Sequence, residues 1–296
     1  MTNLCNLNGT ILPEEKAQVS VLDRGFLFGD SIYEVLGTRR GVPFGIQEHL
    51  ERLHGSADAL MLRMEVDDAA LLRRIKQTLA AAKNDESYIR IIVTRGVGTA
   101  PNIDVAHALG PCTLLIMVRP LPNLPGSEAN LAIVSRLRND RRALDPAAKS
   151  GNYLNNVLGL IEAKQAGAGD ALFVNAAGYL TEATTSNIWM VHQGGVYTPP
   201  LTAGILAGVT RRLLFDCCAE AGITCAERDI SPQQLARADE VFVTSTLRHV
   251  FPVTMLDGKA VQDGKPGAVT VQLAERFERF CEQRHQRNDV PLWSKS

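Results

Sequence analysis

The sequence has almost no net charge and no long apolar run. Its 296 residues include 31 lysines and arginines against 32 aspartates and glutamates, which leaves a net charge of −1. This balance argues against nucleic acid or an anionic membrane as the main partner. Apolar runs such as Leu114–Val118 are too short to span a bilayer, and the first residues lack the basic and apolar parts of a secretory signal. We therefore expect a cytoplasmic protein without a membrane segment.

Cysteine and histidine are scarce and are not spaced as ligands. The six cysteines form no C-x-x-C pair and the six histidines form no H-E-x-x-H motif, so we expect neither a disulfide framework nor a metal site. Three common catalytic signatures are also absent, namely G-x-x-x-x-G-K-[ST], G-x-G-x-x-G and G-x-S-x-G. Their absence removes support for a phosphate-loop hydrolase, a dinucleotide enzyme or an esterase.

Apolar periodicity predicts a mixture of helices and strands. The predicted helices cover 46–62, 67–83, 153–165, 209–221 and 268–284. The predicted strands cover 31–39, 42–44, 88–94, 112–118, 129–135, 171–175, 187–191, 195–198 and 240–244. Because these elements come in runs rather than in strict βαβ alternation, the pattern favours an α+β fold with a largely antiparallel sheet.

A proline-rich segment divides the chain. Three prolines and one glycine fall within residues 119–126, a composition typical of a linker. We therefore expect a smaller N-terminal α+β domain at 1–119, a linker at 120–127, and a larger, mostly β domain at 128–296 that carries Lys149.

Lysine is rare enough to be inspected residue by residue. Eight lysines occur beside 23 arginines, and seven of the eight lie in hairpin arms, polar helix faces, turns or the tail. Lys149 differs because it stands within Pro146–Asn156, a stretch of small and amide residues without charged partners. A lysine desolvated in such a pocket has a lowered pKa and can attack an aldehyde. An ordinary loop lysine is the alternative.

Hydroxyl-rich segments and one isolated acid extend the pattern. Gly208 and Thr210 open a predicted helix, where free backbone N–H groups can bind an anion, although an ordinary helix start explains the same residues. Thr244–Thr246 closes a predicted strand with three hydroxyl residues, and Glu182 is a lone acid among small hydroxyl residues. A lysine, two phosphate-binding segments and one carboxylate are what pyridoxal phosphate requires.

With these features the chain resembles the fold-type IV pyridoxal-phosphate aminotransferases, and branched-chain aminotransferases most. The resemblance covers nearly the whole chain in the family's order, through Asn8-Gly9, Asp23–Asp30, Tyr33-Glu34, Glu48–Leu53, Tyr88–Arg90, Lys149, Asn152–Asn155, Thr181-Glu182, Ser186-Asn187, Tyr197–Pro200, Gly208–Arg211 and Asp239–Thr246. It implies a two-domain α+β fold, and a homodimer in which residues near Phe28 reach the partner's site.

The resemblance also implies roles for individual residues. Lys149 matches the lysine that binds the cofactor aldehyde and moves the proton, and Glu182 matches the acid that faces the pyridine nitrogen. Tyr153 matches a tyrosine near the ring oxygen, and Leu206 matches an aliphatic residue packed on the ring face. The phosphate ligands correspond to Arg52, Val209, Thr210 and Thr246. The substrate-binding positions correspond to Phe28, Tyr33, Tyr88, Arg90, Thr246 and Leu247.

The reaction implied is a reversible transfer of an amino group between an L-amino acid with a branched or apolar side chain and a 2-oxo acid such as 2-oxoglutarate. A D-amino-acid aminotransferase, an aminodeoxychorismate lyase and a non-catalytic binding protein stay open. The segment after Thr94 lacks the Arg-x-His pair of the best-known D-amino-acid enzymes, and the presence of Lys149 and Glu182 weighs against a non-catalytic protein. The chain departs from the family pattern at Phe28, Ala183 and Arg248-His249, and no role is assigned to Arg39, Arg40 or His249.

Overall fold

The computed structural model describes residues 3–123 and 126–295. In chain order the strands are β1 (Leu4–Leu7), β2 (Thr10–Pro13), β3 (Ser31–Arg39), β4 (Val42–Pro43), β5 (Ser87–Thr94), β6 (Thr113–Pro120), β7 (Ala129–Leu137), β8 (Asp170–Val174), β9 (Leu180–Ala183), β10 (Asn187–His192), β11 (Gly195–Thr198), β12 (Cys225–Glu227), β13 (Glu240–Ser245), β14 (His249–Leu256) and β15 (Lys259–Ala260). The α-helices are α1 (Arg24–Phe28), α2 (Ile46–Ala59), α3 (Asp68–Ala82), α4 (Leu154–Gln165), α5 (Val209–Glu220), α6 (Pro232–Leu235), α7 (Ala268–Arg284) and α8 (Val290–Lys295).

Every helix and strand predicted from periodicity is present, with its ends shifted by at most three residues. Short 3-10 turns occupy Glu14–Lys16, Val105–His107 and Leu201–Ala203, and a π-helical turn covers His285–Asp289. Leu124 and Pro125, which belong to the predicted linker, lie outside the described residues.

The chain forms two compact units. The first comprises the described residues within Met1–Asn123, Ala148–Asn152 and Gln283–Ser296, and the second those within Leu124–Ala147 and Tyr153–Glu282. These units differ from the predicted division at two places, because the segment around Lys149 and the C-terminal segment both group with the first unit.

A six-stranded antiparallel sheet in the order β2-β1-β6-β5-β3-β4 forms the first unit, and α2 and α3 pack against it. Ile89, Ile91 and Val93 of β5 are buried in this core with residues of both helices. Side chains of a strand alternate between the two faces of a sheet. Tyr88 and Arg90 therefore lie together on the face opposite to this core.

Strand β3 holds the segment around Lys149 in the first unit. The Tyr33 amide donates a hydrogen bond to the Lys149 carbonyl at 3.0 Å, and the Gly151 amide donates to the Ser31 carbonyl at 2.8 Å. A side chain at position 151 would bring its Cβ to 2.2 Å from Ser31 Oγ and would displace that hydroxyl, so glycine favours this close approach. Periodicity could not show the pairing, since 116 residues separate Tyr33 from Lys149.

The C-terminal segment also completes the first unit. Asp289 Oδ2 accepts a hydrogen bond from the Gly45 amide, just before α2, at 3.1 Å and lies 3.0 Å from His285 Nδ1. Leu292 and Trp293 pack against the core that α2 and α3 share with the sheet. The predicted larger domain, which extended to residue 296, therefore differs from the second unit at this end.

The second unit is built on a mixed sheet in the order β12-β11-β10-β13-β14-β7-β8-β9, with β15 beside β14. The β11–β12, β14–β7 and β7–β8 pairs are parallel, and the other pairs are antiparallel. Strand β9 also pairs with β10 through Glu182 and Asn187, which closes part of the sheet on itself. The α+β class with a largely antiparallel sheet, predicted from the sequence, is thus confirmed.

Helix α4 of the second unit carries its apolar stripe on the outside. Leu154 is 67% exposed, and Val157 and Ile161 are each 48% exposed. The buried face instead contains Asn156, Gly159 and Ala163. A Cβ at position 159 would lie 2.3 Å from the Phe173 ring, so glycine allows the helix to pack closely on the sheet. An exposed apolar stripe of this kind is typical of a surface that another protein covers.

Three further observations concern features that the sequence lacks. Within the part of the chain that the structure describes, no helix is both long enough and apolar enough to cross a membrane. In the same residues, no group of three or more histidine, cysteine, aspartate and glutamate side chains is placed to hold a metal ion. All six cysteines are free thiols.

Candidate active site

Lys149 and Tyr33 form the centre of the candidate site in the first unit. The Lys149 Nζ atom lies 3.2 Å from Tyr33 Oη and 4.3 Å from the centroid of the Tyr33 ring. Tyr33 is only 5% exposed, whereas Lys149 is half-buried. A phenol can accept a hydrogen bond from an ammonium group and donate one to a neutral amine. This contact therefore supports Nζ in both protonation states.

Arg90 contacts the same tyrosine. Its guanidinium carbon lies 4.1 Å from the centroid of the Tyr33 ring, a cation–π distance. Tyr33 pairs with Ile92 across β3 and β5, so Arg90 is its diagonal neighbour on one face of the sheet. Tyr88 follows on the same face of β5. The structure thus brings the predicted substrate-binding residues Tyr33 and Arg90 into contact and places Tyr88 further along the same face of the sheet.

Beside this group lies a buried network on β3 and α2. Glu34 accepts hydrogen bonds from Arg52 Nε at 2.7 Å and from Arg52 Nη2 at 2.8 Å, and His49 Nδ1 lies 2.7 Å from Glu34 Oε2. Burial raises the pKa of Glu34, but the Arg52 guanidinium and His49 outweigh it and hold that pKa well below its ordinary value. Burial lowers the pKa of His49, although Glu34 opposes this shift. Glu34 therefore fixes the orientation of Arg52 as a charged pair.

Ser56 connects Lys149 to the helix that carries Arg52. Its Oγ accepts a hydrogen bond from the Lys149 amide at 3.0 Å and donates one to the Arg52 carbonyl at 2.8 Å. The main chain of Lys149 is therefore held one helical turn from Arg52. Glu34, His49 and Ser56 were not singled out from the sequence; Glu34 and His49 occur in the family motifs quoted above, but nothing in their spacing indicated this network.

Glu182 is the buried carboxylate of the second unit, and it is 5% exposed. Its Oε1 atom accepts hydrogen bonds from Arg138 Nη2 at 2.9 Å and from Arg138 Nε at 3.2 Å. Its Oε2 atom accepts from the Leu206 amide at 3.0 Å and from Asn187 Nδ2 at 3.3 Å. Glu182 and the predicted ring-packing residue Leu206 are therefore in direct contact.

Arg138 was not recognised from the sequence. It lies 44 residues before Glu182, in an arginine-rich stretch whose other members gave no reason to prefer it. The signal that could have found it is strand pairing. Arg138 directly follows β7, and β8 pairs with both β7 and the strand of Glu182.

The N-terminus of α5 has the features of an anion-binding site. Gly208 occupies the N-cap position and no side chain caps this helix end, so the first N–H groups of Val209 and Thr210 are not used by a capping side chain. A Cβ at position 208 would lie 2.1 Å from Asn187 Oδ1, so a side chain there would displace Asn187. Thr210 is buried at 6% exposure. A helix N-terminus with free amides favours a phosphate group.

The remaining predicted site residues lie in a strand, in a turn and at helix ends. In the hydroxyl-rich segment Thr244–Thr246, Thr244 Oγ1 accepts a hydrogen bond from Trp189 Nε1 at 2.9 Å. This hydroxyl therefore has a structural partner inside the sheet. Thr246 and Leu247 lie half-buried in the turn between β13 and β14. Tyr153 is the N-cap residue of α4. Phe28 ends α1 of the first unit, with the Arg24 guanidinium 5.1 Å from its ring centroid.

The two units thus carry different parts of the predicted machinery. The first unit holds Phe28, Tyr33, Arg52, Tyr88, Arg90 and Lys149. The second unit holds Tyr153, Glu182, Leu206, Val209, Thr210, Thr246 and Leu247. An amine with a phenol partner, a buried carboxylate paired with arginine, and an uncapped helix start are the chemical groups that a phosphorylated pyridine aldehyde requires.

Comparison with known proteins agrees with this assignment. The chain matches the family model for "Amino-transferase class IV" over residues 31–256. A Methanocaldococcus jannaschii protein named "Putative branched-chain-amino-acid aminotransferase" is 36% identical over 273 residues, 92% of this chain and 94% of the relative. The "D-alanine aminotransferase" of Bacillus licheniformis is 33% identical over 265 residues, 89% of this chain and 92% of the relative.

A solved structure gives the same result for the fold. The T.th. branched-chain amino acid aminotransferase complexed with N-(5'-phosphopyridoxyl)-L-glutamate has a TM-score of 0.88 to this chain at 28% identity, over 96% of this chain and 95% of that one. The resemblance to fold-type IV aminotransferases, and to branched-chain enzymes most, is confirmed. Since the family model and the relatives both span most of its length, the chain belongs to the class IV aminotransferase family.

Proposed function

We propose that this class IV aminotransferase moves an amino group between branched-chain or other apolar L-amino acids and 2-oxoglutarate. The observation that carries the proposal is the position of Arg90, whose guanidinium lies 4.1 Å from the Tyr33 ring centroid. An aromatic surface packs an apolar side chain, while a guanidinium at its edge pairs with the side-chain carboxylate of glutamate. One pocket can then serve both halves of the reaction. The branched-chain name of the Methanocaldococcus jannaschii relative supports the same substrate class.

The residues present fit pyridoxal phosphate, which supplies an aldehyde that takes up the amino group and a ring that accepts electrons. Lys149 would bind the aldehyde, and Glu182 would face the ring nitrogen. Phosphate ligands would come from Arg52, from the α5 start at Val209 and Thr210, and from Thr246. Tyr153 would lie near the ring oxygen and Leu206 against the ring face. The phosphopyridoxyl group in the T.th. relative supports this choice of cofactor.

Lys149 would also move a proton at the substrate carbon. A residue in this role alternates between amine and ammonium. Tyr33 Oη, 3.2 Å from Nζ, can remain hydrogen-bonded to either form. The amide of Lys149 is fixed by Ser56 at 3.0 Å, so its side chain extends from an anchored main chain.

Transfer of D-amino acids is the second candidate, because a named D-alanine aminotransferase is 33% identical over most of this chain. The sequence after Thr94 lacks an Arg-x-His pair that could bind the substrate carboxylate. The contacts of Arg90 and Lys149 with the Tyr33 ring do not distinguish L- from D-amino acids. Substrate stereochemistry is therefore the point that an experiment must decide.

We further propose that the protein is a homodimer and that α4 contributes to the contact. The exposed stripe of Leu154, Val157 and Ile161 lies on one face of this helix, and the opposite face is already packed on the sheet. Burying such a stripe removes apolar surface from water, which stabilises association by about 25 cal/mol per Å² buried.

A panel of amino acids tests the substrate assignment. The purified holoenzyme is mixed with single L- and D-amino acids, and the loss of visible absorbance from the lysine-bound cofactor is followed. We expect L-leucine, L-valine and L-glutamate to react faster than D-alanine and D-glutamate. Faster reaction with D-alanine than with L-leucine would assign the protein to the D-amino-acid group instead.

A further inference from the structure

We propose that Arg138 is a positioning residue that holds the carboxylate of Glu182 oriented toward the ring nitrogen of the cofactor. The inference rests on the proposed function, because it concerns the role that Glu182 plays there. Neither the family motifs quoted above nor the spacing of the chain assigned a role to Arg138. Its contacts in the second unit carry the inference.

The two oxygens of the Glu182 carboxylate have different hydrogen-bond partners. Two nitrogen atoms of Arg138, Nε at 3.2 Å and Nη2 at 2.9 Å, donate to the single oxygen Oε1 of Glu182. The other oxygen, Oε2, accepts from the Leu206 amide and from Asn187. The Arg138 and Glu182 side chains are 9% and 6% exposed, so water screens their interaction little. The rotation of the carboxylate is therefore fixed from both sides.

Two asparagines hold the guanidinium in turn. Arg138 Nη1 donates to Asn155 Oδ1 at 3.1 Å and to Asn156 Oδ1 at 3.2 Å. The amide nitrogen of Asn155 donates to the Leu137 carbonyl at 2.9 Å, and that of Asn156 donates to the Thr184 carbonyl at 2.7 Å. Because both nitrogens are engaged, both amide oxygens must face Arg138. All three nitrogens of the guanidinium are thus bonded.

The position of Arg138 determines where the carboxylate of Glu182 points. A carboxylate accepts a hydrogen bond and stabilises a protonated pyridine nitrogen, whereas a neutral carboxyl donates one and stabilises the unprotonated ring. By holding that carboxylate in place, Arg138 would stabilise the protonated ring nitrogen without touching the cofactor.

A purely structural arginine would make the same contacts for stability alone. The structural role and the positioning role predict different effects on the pKa of the ring nitrogen when the charge of Arg138 is removed. Loss of a structural contact lowers the free energy of unfolding but leaves the pKa of a ring nitrogen opposite Glu182 unchanged. Loss of a positioning charge lowers that pKa, and replacement by another cation restores part of it.

The test is ¹⁵N NMR of the holoenzyme reconstituted with pyridoxal phosphate labelled at the ring nitrogen. We expect the apparent pKa of this nitrogen to fall by about one unit or more in Arg138→Gln. The first half-reaction should slow roughly tenfold. Arg138→Lys, which keeps the charge, should recover part of both losses. Arg138→Met, which keeps an apolar stem beside Phe173, serves as a second neutral variant if Arg138→Gln does not fold.

Arg142→Gln is the matched control. Arg142 lies in the same arginine-rich stretch but is 90% exposed and pairs with Asp140 at the surface, so its loss should leave the ring nitrogen unchanged. A ring nitrogen that titrates as in the wild type in the neutral Arg138 variants, while Glu182→Gln lowers its pKa, would overturn the role of Arg138 alone. An unchanged nitrogen in Glu182→Gln as well would contradict the proposed function itself.

Discussion

Glu34 and Arg52 form a buried charged pair, joined by two hydrogen bonds of 2.7 and 2.8 Å, in which the carboxylate has no exposed side-chain surface. Removing one partner of such a pair leaves the other charge buried without compensation. We expect Glu34→Gln to lower the free energy of unfolding by about 3–5 kcal/mol. We also expect faster release of the cofactor on dialysis, because Arg52 loses the group that orients it. Asp68→Asn, in an exposed pair with His54, is the control and should have little effect on either quantity.

The same pair predicts a dependence of stability on pH. Since the pKa of Glu34 is held below its ordinary value, its contribution is fully present above the pKa of an unfolded glutamate, about 4.3. That contribution is lost as the pH falls toward the lower pKa of the folded state. We expect the free energy of unfolding of the wild type, measured with urea, to fall with acid below about pH 4. In Glu34→Gln this free energy should fall less steeply over the same pH range. Parallel curves for the two proteins would contradict the assignment.

Arg90 provides a test of the shared pocket. We expect Arg90→Ala to raise the KM for 2-oxoglutarate and L-glutamate about tenfold or more, since a charge-assisted hydrogen bond contributes roughly 1.5–3 kcal/mol. The KM for L-leucine should change less, because its side chain packs on Tyr33. Arg39→Ala is the control, since Arg39 also lies over an aromatic ring, that of Phe44 at 5.7 Å, but has no proposed substrate contact. Equal losses for glutamate and leucine in Arg90→Ala would reject the shared pocket.

The outer stripe of α4 predicts the effect of a charge on assembly. Val157→Glu should shift the protein from dimer to monomer in sedimentation velocity, because a charge would be buried in the contact. Val271→Glu on α7 is the matched control, since Val271 is exposed to a similar degree, 43% against 48% for Val157. If Val157→Glu sediments as the wild type does, α4 lies outside the dimer contact.

The helices and strands could be read from periodicity because each depends on residues that are close in sequence. The face of α4 that packs on the sheet could not be predicted in this way. Its apolar stripe shows that the helix is amphipathic but does not show which surface covers that stripe. Gly159, whose position leaves no room for a side chain beside Phe173, decides the buried face instead.

The site residues also differ in whether the sequence alone could identify them. Lys149 and Glu182 stood out because each is the one charged group in a stretch of small polar residues. Arg138 did not, since its importance comes from a partner 44 residues away and from two amides that α4 brings beside it. Likewise, 116 residues separate Lys149 from Tyr33, and a hydrogen bond between their main chains brings them together.

Covalent attachment of the cofactor to Lys149 is the central claim, and borohydride reduction of the holoenzyme followed by peptide mapping measures it most directly. Reduction makes the link between lysine and cofactor permanent, so the modified peptide identifies the residue. We predict that the phosphopyridoxyl group is found on the peptide that contains Lys149, and that Lys149→Ala yields no modified peptide. Modification of Lys76 or Lys164 in the wild type would contradict the assignment of this site.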